Sequence, residues 1–565
     1  MLRARASSDA GRRLVTMLAD NGQETGQLTF DELERRARRI AAAIQKVARP
    51  GERAVLLYPP GLDYIAGLFG AMAAGVIAVP AYPPDPTRLE RTLPRLRAIV
   101  ADSRATVVLT TAVIRSMAGF LAAQAPDLSA LTWLATDTVE PDAEAGWQDL
   151  GVAAQDIAIL QYTSGSTGTP KGAMLSHGNL VQNIRLIAER FGFREESVEV
   201  CWLPPYHDMG LIGGILTPLV TGFSLVLMQP LAFLKRPGLW LEAISRYGGT
   251  HCGGPNFAFE LCARRISEQE RASLDLSSWQ VAFCGAEPIH AAVVERFIAT
   301  FARHGFRRRA FLPCYGLAEA TLLVSAKDHA QEPRLHSVQA AELEHGRAIA
   351  APATAPKVRT LVSCGRTGDA HEIAVVDPES RRACADGVIG EVWVRGPSVA
   401  QGYWQRPDES REVFGAVRAD TDDGPYLRTG DLGFIDRGEL FITGRRKDLI
   451  IIRGRNHYPQ DIEATAASSH AALRAGCTTA FSVEVDGEER LVIVQEVDPR
   501  RATDLDEVMG AIRLGVTEQH DVQPGAIALI SPGSLPKTTS GKVQRRASKA
   551  AFLEDRLAPL QLWRA

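Results

Sequence analysis

The stretch QYTSGSTGTPKG, Gln161 to Gly172, decides the fold, because its composition is that of a phosphate-binding loop between two strands. An apolar, partly β-branched run precedes it, and a second strand-like run that turns into a helix follows it. Gly165, Gly168 and Gly172 allow the backbone to approach a bulky anion, and Lys171 adds a compact positive charge. Hydroxyl groups add further donors from Thr163, Ser164, Ser166 and Thr167. The loop therefore suits a polyphosphate.

The spacing of this loop differs from that of a Walker P-loop. A Walker loop requires a lysine directly after its second glycine, whereas here Pro170 precedes Lys171. A P-loop kinase is therefore disfavoured. A flexible Gly/Ser/Thr linker is the remaining alternative, but linkers rarely lie between two apolar strand-like runs.

The composition is that of a globular protein with more than one domain. The chain has 565 residues, too many for one ordinary hydrophobic core, with 45% hydrophobic and 23% charged residues. Its net charge is −3, from 63 basic and 66 acidic residues, so no global field favours nucleic acid or an anionic membrane. Any partner must be recognised locally.

The cysteines and the N-terminus indicate a reducing compartment. The 8 cysteines are scattered singly with no CxxC pair, which predicts buried thiols rather than disulfides or zinc ligands. No apolar signal core follows the charged N-terminus, and the longest apolar run, Ala66 to Val79, is too short to span a bilayer. We expect a cytoplasmic protein without a membrane span.

The order of predicted elements indicates an α/β fold. An amphipathic helix is expected from Thr29 or Asp31, and strands alternate with helices after it, which is typical of parallel sheets. From Lys327 to Arg359 the chain is polar and poorly periodic, apart from a short helical pattern at Gln339 to His345, and is expected to be a surface insertion. A β subdomain begins near Glu372, and a small α+β domain closes the chain.

Several polar residues follow predicted strands, where ligands collect in parallel sheets. Tyr315 could offer a ring to a base, and Glu319 could offer an oxygen ligand to Mg²⁺. Asp431 could accept hydrogen bonds from ribose hydroxyls, and Arg445 could bind ribose or phosphate. His207 is equally compatible with a structural role, and Phe257, Leu261 and Cys262 could form either core or the wall of an acyl pocket.

Five motifs in order identify a family resemblance across nearly the whole chain. They are YTSGSTGTPKG, WLPPYHDMGLIGG, YGLAEAT, YLRTGDLG with GRRKDLIIIRG, and PKTTSGKVQR. Together they resemble the adenylate-forming superfamily of acyl-CoA synthetases, peptide-synthetase adenylation domains and luciferases. Within it the chain is most similar to the fatty acyl-AMP ligases, on the strength of RGRNHYPQDIE at Arg453 to Glu463, VSCGR at Val362 to Arg366, and the insertion before it.

The resemblance implies two half-reactions that use ATP and Mg²⁺. A fatty acid first forms acyl-AMP and pyrophosphate, and a phosphopantetheine thiol of an acyl carrier protein then takes the acyl group. No Asp-Ser-Leu attachment motif occurs in the chain, so the expected carrier is a separate protein of a polyketide or peptide synthetase. The alternatives are a fatty acyl-CoA synthetase and a non-catalytic nucleotide or acyl sensor. Intact Lys542, Glu319 and Asp431 argue against the sensor.

The resemblance also implies roles for individual residues. Lys542 would bridge the carboxylate and the α-phosphate, His207 would lie beside the carboxylate, and Glu319 would bind Mg²⁺. Asp431 and Arg445 would hold ribose. The remaining nucleotide contacts would be phosphate-binding residues from Thr163 to Lys171 and adenine-framing residues Gly285, Ala286, Glu287, Tyr315 and Gly316.

The resemblance divides the chain into two domains. A large N-terminal domain of parallel α/β subdomains plus a β subdomain would cover 1–446, with the insertion near 327–359. A small mobile α+β domain carrying the catalytic lysine would cover 447–565. Lys447 would be the hinge between the half-reactions. The insertion would dock on the large domain and restrain the small one, which disfavours CoA as acceptor.

Overall fold

The computed structural model describes residues 2–84, 89–163, 170–452, 455–485, 488–502, 504–538 and 542–565. The described strands of the first part of the chain supply its parallel sheets. In chain order they are β1 (Arg13–Leu18), β2 (Glu24–Thr29), β3 (Arg53–Leu56), β4 (Ile77–Pro80), β5 (Val107–Thr110), β6 (Thr132–Ala135), β7 (Ile157–Thr163), β8 (Lys171–Ser176), β9 (Val198–Cys201), β10 (Ser224–Met228), β11 (His251–Gly254), β12 (Val281–Cys284), β13 (Phe311–Gly316) and β14 (Leu323–Ala326).

The later strands are largely antiparallel. They are β15 (Leu335–Gln339), β16 (Val358–Val362), β17 (Glu372–Val376), β18 (Gly390–Arg395), β19 (Leu427–Asp436), β20 (Glu439–Arg445), β21 (Ile450–Ile452), β22 (Arg455–His457), β23 (Leu473–Val485), β24 (Glu488–Val497), β25 (Pro524–Ile530) and β26 (Gln561–Arg564).

The α-helices cover the sheets. They are α1 (Leu2–Ser8), α2 (Phe30–Gln45), α3 (Leu62–Ala73), α4 (Leu89–Ser103), α5 (Ala112–Ser116), α6 (Ala118–Gln124), α7 (His177–Phe191), α8 (Thr217–Thr221), α9 (Pro230–Lys235), α10 (Gly238–Tyr247), α11 (Asn256–Arg265), α12 (Glu268–Arg271), α13 (Ala291–Phe301), α14 (Ala340–Glu344), α15 (Pro407–Phe414), α16 (Pro459–Ser468), α17 (Leu505–His520) and α18 (Arg545–Leu553). A π-helical segment, Met209–Leu216, precedes α8.

Three sheets build the α/β part. Their strand orders are β6-β5-β3-β4-β7-β8, β2-β1-β10-β9 and β11-β12-β13-β14. Pairing is parallel except at β7–β8, β1–β2 and β13–β14. The predicted helix start is confirmed at α2, where Thr29 caps the helix and Glu32 completes a capping box. The expected α/β fold class is confirmed.

The β part follows the α/β part. Strands β17-β18-β19-β20 form an antiparallel sheet, and β23-β24-β25-β26 form a mixed sheet on which α16 and α17 pack. The segment 327–359, which the sequence predicts to be a surface insertion, contains two strands besides a short helix. Leu335–Gln339 pairs with Val358–Val362 in an antiparallel ladder, which supplies partners for the backbone of this polar segment.

The prediction of buried thiols is confirmed for most of the cysteines. Six of the eight are buried, and Cys314 and Cys384 are partly buried. Burial in apolar surroundings raises the pKa of Cys262 and its buried counterparts, so they remain neutral thiols. Across the residues that the structure describes, no helix combines the length and apolarity needed to cross a membrane.

Candidate active site

The ends of three strands surround one cavity of about 1450 Å³. Strand β7 contributes Thr163 at its end, β12 is followed by Gly285 and Ala286, and β13 ends at Gly316. The segment that carries Lys542 closes the cavity from the C-terminal part of the chain. Residues far apart in sequence therefore meet where a parallel sheet places its ligands.

Small residues are required where these strand ends approach one another. A Cβ atom at Gly316 would lie 1.8 Å from the carbonyl oxygen of Leu322, and one at Gly285 would lie 2.9 Å from that of Cys314. Ala286 adopts the left-handed conformation, with φ of 66°. Larger side chains at the two glycines would push the loops apart, so these positions shape the cavity wall.

The structure describes only part of the predicted phosphate-binding loop. Thr163 lines the cavity at the end of β7, and Lys171 lies buried at the start of β8. The Nζ atom of Lys171 forms an ion pair with Glu409 and lies 5.4 Å from the ring centroid of Tyr403. The remaining predicted loop residues, Ser164, Gly165, Ser166, Thr167 and Gly168, lie outside the described residues.

Asp431 is held in place by two side chains. Tyr315 donates its hydroxyl hydrogen to Asp431 Oδ2 at 2.7 Å, and Arg445 Nε donates to Oδ1 at 3.2 Å. Asp431 is only 7% exposed, whereas the Arg445 side chain is 70% exposed. Burial, followed by the charge of Asp431, raises the pKa of Tyr315, so the hydroxyl stays a donor. Tyr315 and Arg445 line the cavity, and Asp431 lies directly behind them in contact with both.

Glu319 faces the same cavity from the turn after β13. Its Oε1 atom accepts a hydrogen bond from the Tyr403 hydroxyl at 2.9 Å, and burial raises the pKa of the Glu319 carboxyl. In the described part of the chain, no group of three or more His, Cys, Asp or Glu side chains is arranged to hold a metal ion. A single carboxylate fits Mg²⁺, which usually takes one or two protein carboxylates together with substrate phosphates.

Lys542 shares the cavity with a partly buried pair, His207 and Asp208. His207 Nδ1 lies 2.6 Å from Asp208 Oδ1, and Met209 N donates to the same oxygen at 2.7 Å. Burial opposes ionisation of Asp208, but His207 and then Lys542 outweigh it and lower the pKa of this carboxyl. Burial lowers the pKa of Lys542, while Asp208 and Glu287 oppose that shift. The cavity therefore holds an ionised Asp208 facing a lysine.

Glu287 has a different environment from its two predicted neighbours. Gly285 and Ala286 line the cavity, whereas Glu287 accepts a hydrogen bond from the backbone N–H of Phe257 at 2.7 Å. Burial raises the pKa of Glu287. The side chain therefore ties the loop after β12 to the start of α11.

The far end of the cavity is aromatic and aliphatic. Phe191, Phe193 and Phe283 line it together with Gly213 and Leu322. Cys262, in contrast, is fully buried in the core, where Phe257 and Leu261 pack against the same cluster. Of the two alternatives for Phe257, Leu261 and Cys262, the structure therefore favours core residues over an acyl-pocket wall. The aromatic wall of the cavity comes from α7 and β12 instead.

The sequence contained no indication that Tyr403 and Glu409 belong to the site, and it indicated Asp208 only weakly. Tyr403 and Glu409 lie far along the chain from Glu319 and Lys171, and only the fold brings each pair together. Asp208 was visible only as the neighbour of His207. The short sequences YW and PDE, which contain Tyr403 and Glu409, do not by themselves indicate a chemical function.

Lys447 lies in the turn Arg446–Asp448, which lines the cavity between β20 and β21. Arg545 bridges this turn to α16, because it donates to Asp448 at 3.0 Å and to both carboxylate oxygens of Glu463 at 2.7 Å. The predicted hinge thus lies beside a charged contact that fixes the position of α18 in this conformation.

These elements define an adenylate-forming enzyme, and the chain belongs to the AMP-binding enzyme family, which matches residues 2–404. A second family, described as "Disco-interacting protein 2-like, AMP domain", matches residues 447–561. The chain is 47% identical over 562 residues to a medium-chain-fatty-acid–[acyl-carrier-protein] ligase, JamA, of Moorena producens, covering 99% of this chain and 95% of that relative. It is 38% identical over 531 residues to the long-chain-fatty-acid–AMP ligase FadD23 of Mycobacterium tuberculosis, covering 92% and 89%.

Solved structures agree with these relatives. A fatty acyl-adenylate ligase of Legionella pneumophila, in complex with acyl adenylate and pyrophosphate, has a TM-score of 0.77 and 38% identity, covering 100% of this chain and 97% of that one. A structure from a study of fatty acyl-adenylate ligases from Escherichia coli and L. pneumophila has a TM-score of 0.86 and 32% identity, covering 99% and 97%. The family resemblance carried by the five motifs is confirmed.

Proposed function

We propose that this protein activates a fatty acid with ATP to form acyl-AMP and pyrophosphate, and then transfers the acyl group to the phosphopantetheine thiol of an acyl carrier protein. The observation that carries this proposal is one cavity with two contrasting ends. Charged residues, including Lys542 and Arg445, line one end, and Phe191 and Phe283 line the other. The names of the relatives describe the same two substrates, a fatty acid and a carrier protein.

In the first half-reaction a carboxylate oxygen attacks the α-phosphorus of ATP, and the bond from that phosphorus to pyrophosphate breaks. The carboxylate is already ionised at neutral pH, so no general base is required. Charge neutralisation is required instead, because two anions must approach. Lys542 supplies a positive charge at this point, and the pair of His207 and Asp208 positions it.

The nucleotide contacts follow from the cavity wall. Asp431, fixed by Tyr315 and Arg445, would accept from ribose hydroxyls, and the loops at Gly285 and Gly316 would frame adenine. Thr163, Lys171 and the loop between them would hold the β- and γ-phosphates, with Lys171 exchanging Glu409 for phosphate oxygens. Glu319 would hold Mg²⁺, which supplies further positive charge to the phosphates when bound.

In the second half-reaction the thiol sulfur attacks the acyl carbonyl carbon, and AMP leaves. We propose that residues 447–565 form a mobile domain that rotates about Lys447 between the two steps, against a domain of residues 1–446. The ion pairs of Arg545 with Asp448 and Glu463 would stabilise the conformation described here. The thiol step would then require Lys542 to leave the cavity.

The insertion favours a carrier protein over CoA as the acceptor. It contacts the C-terminal part at several points: Glu344 faces Arg455 at 3.4 Å, Lys357 pairs with Asp521, and Arg359 pairs with Asp461 at 3.0 Å. Arg359 also lies 4.7 Å from the ring centroid of Tyr458. Such contacts oppose rotation of the small domain, and a carrier protein, which can dock on the protein surface, would overcome them more readily than CoA. The carrier would belong to a polyketide or peptide synthetase, and the cytoplasmic location stays a prediction.

The test is to incubate the protein with ATP, Mg²⁺ and octanoate, with and without CoA or a phosphopantetheinylated carrier, and to identify the products by mass spectrometry. Acyl-AMP that persists with CoA and disappears with the carrier is the expected result. Conversion to acyl-CoA would show an acyl-CoA synthetase instead. ATP binding without pyrophosphate release would revive the sensor alternative.

A further inference from the structure

A buried carboxyl group lies at the apolar end of the cavity. Glu199 belongs to the buried strand β9, is 1% exposed, and lines the cavity together with Phe191, Phe193 and Phe283. Its atom Oε1 has no hydrogen-bond partner among the residues that the structure describes. Unpaired buried carboxyl oxygens are costly and rare in protein cores. This group therefore calls for an explanation that plain packing does not give.

The π-helical segment Met209–Leu216 packs closely beside Glu199. A Cβ atom built on Gly214 would lie 2.4 Å from Cys201 Sγ and 3.6 Å from Glu199 Oε1, so only a glycine fits between this segment and strand β9. The adjacent residue Gly213 lines the same cavity as Glu199. The cavity therefore reaches Glu199 beside the backbone of this segment.

The protonation state of Glu199 decides what it can bind. Burial raises the pKa of this carboxyl well above its usual range, and no cationic partner opposes the shift. Burial therefore favours the neutral form, which offers one O–H donor as well as acceptor sites. A hydroxyl group satisfies both functions, because it accepts the carboxyl hydrogen and donates its own. A methyl group satisfies neither.

We propose that Glu199 selects fatty acids whose distal end carries a hydroxyl group. This inference rests on the proposed function, since it assumes that the acyl chain lies along Phe283 and Phe191 with its carboxylate near Lys542. The hydroxyl would then reach Glu199 only at chain lengths that match the cavity. Glu199 would thus set both the terminal group and the length of the preferred substrate.

The test compares methyl-terminated acids from hexanoate to tetradecanoate with their ω-hydroxy derivatives, using kcat/KM for pyrophosphate release. The wild-type protein is expected to prefer the ω-hydroxy acid by about tenfold at one matched length, as expected for one to two buried hydrogen bonds. Glu199→Leu should reverse this preference, and Glu199→Gln, which keeps a donor and an acceptor, should retain part of it. The KM for ATP should stay unchanged in both variants.

The outcomes separate this inference from the proposed function. If wild-type protein prefers the methyl-terminated acid at every length, or if Glu199→Leu keeps the wild-type preference, then Glu199 does not select fatty acids by their distal group. Adenylation of octanoate without any ω-hydroxy preference overturns only this inference. If no fatty acid is adenylated, the proposed function itself fails. The wild-type comparison is informative even if a variant does not fold.

Discussion

The two ends of the cavity are built in different ways. At the proposed nucleotide end, charged side chains come from turns, from strands and from the C-terminal segment, and some are held by partners distant in sequence, as Asp431 is by Tyr315. At the acyl end, Phe191 and Phe283 come from α7 and β12 and pack as part of the main core. Substitutions at the first end should therefore change the rate for every acid, and those at the second should change which acid is used.

The largest effect is expected from Lys542→Ala. Loss of the positive charge between two reacting anions should lower the rate of acyl-AMP formation about 10²- to 10³-fold, for all chain lengths alike. Pyrophosphate release measures this. The exposed Lys46, at the end of α2, provides a matched control as Lys46→Ala. A loss confined to one chain length would contradict the division between the two ends.

A smaller loss is expected from Asp431→Asn, which keeps the shape but removes the charge. The variant loses the charge-assisted bonds to Tyr315 and Arg445 and to the proposed ribose hydroxyls, so the KM for ATP should rise about 10- to 100-fold. Steady-state kinetics with varied ATP measures it. The KM for the fatty acid should change little, and an equal rise in both constants would show that the two ends are coupled.

The acyl end is tested by Gly213→Leu. A Cβ atom at Gly213 would already lie 3.4 Å from Leu322 Cδ2, so a leucine should fill the passage beside it. We expect kcat/KM for the longest accepted acids to fall about tenfold while short acids are spared. Alanine at the same position is the milder control. A uniform loss with all acids would place Gly213 at the nucleotide end.

The pH dependence should also separate the two ends. Burial lowers the pKa of Lys542, so its charge is lost, as the pH rises, at a lower pH than the charge of an exposed lysine. The kcat/KM for ATP should therefore fall about three- to tenfold as the pH rises above neutral. Lys542→Arg should remove this alkaline limb, because arginine stays protonated. An unchanged limb in that variant would assign it to another group.

The smallest effect is expected from Glu409→Gln. Glu409 pairs with Lys171 in this conformation and competes with phosphate for it, so its removal should lower the KM for ATP by about two- to fivefold. Titration calorimetry with ATP provides an independent check. Asp408→Asn on the same helix α15, where the carboxylate is exposed and does not line the cavity, is a matched control. A raised KM would show that Glu409 positions Lys171 instead of competing for it.

Much of the architecture was predictable because its signals are local. Thr29 and Glu32 start α2 by a capping box that the sequence spells out, and the alternation of strands and helices predicted parallel sheets. The structure of the insertion near 327–359 was harder to predict from the sequence. Its strands β15 and β16 are polar and lie apart in sequence, so their pairing depends on contacts with Phe434, Phe441 and Tyr458 that no local pattern encodes.

The sequence by itself determined the family, and it predicted a set of nucleotide-binding residues, because motifs such as YGLAEAT and PKTTSGKVQR place fixed chemistry at fixed spacing. Tertiary structure decided which groups those residues meet. Tyr403 reaches Glu319, Glu409 reaches Lys171, and Glu199 faces the apolar end of the cavity. The physical reason is that burial and the charge of a neighbour depend on chain segments far apart in sequence, which only the packed fold brings within contact.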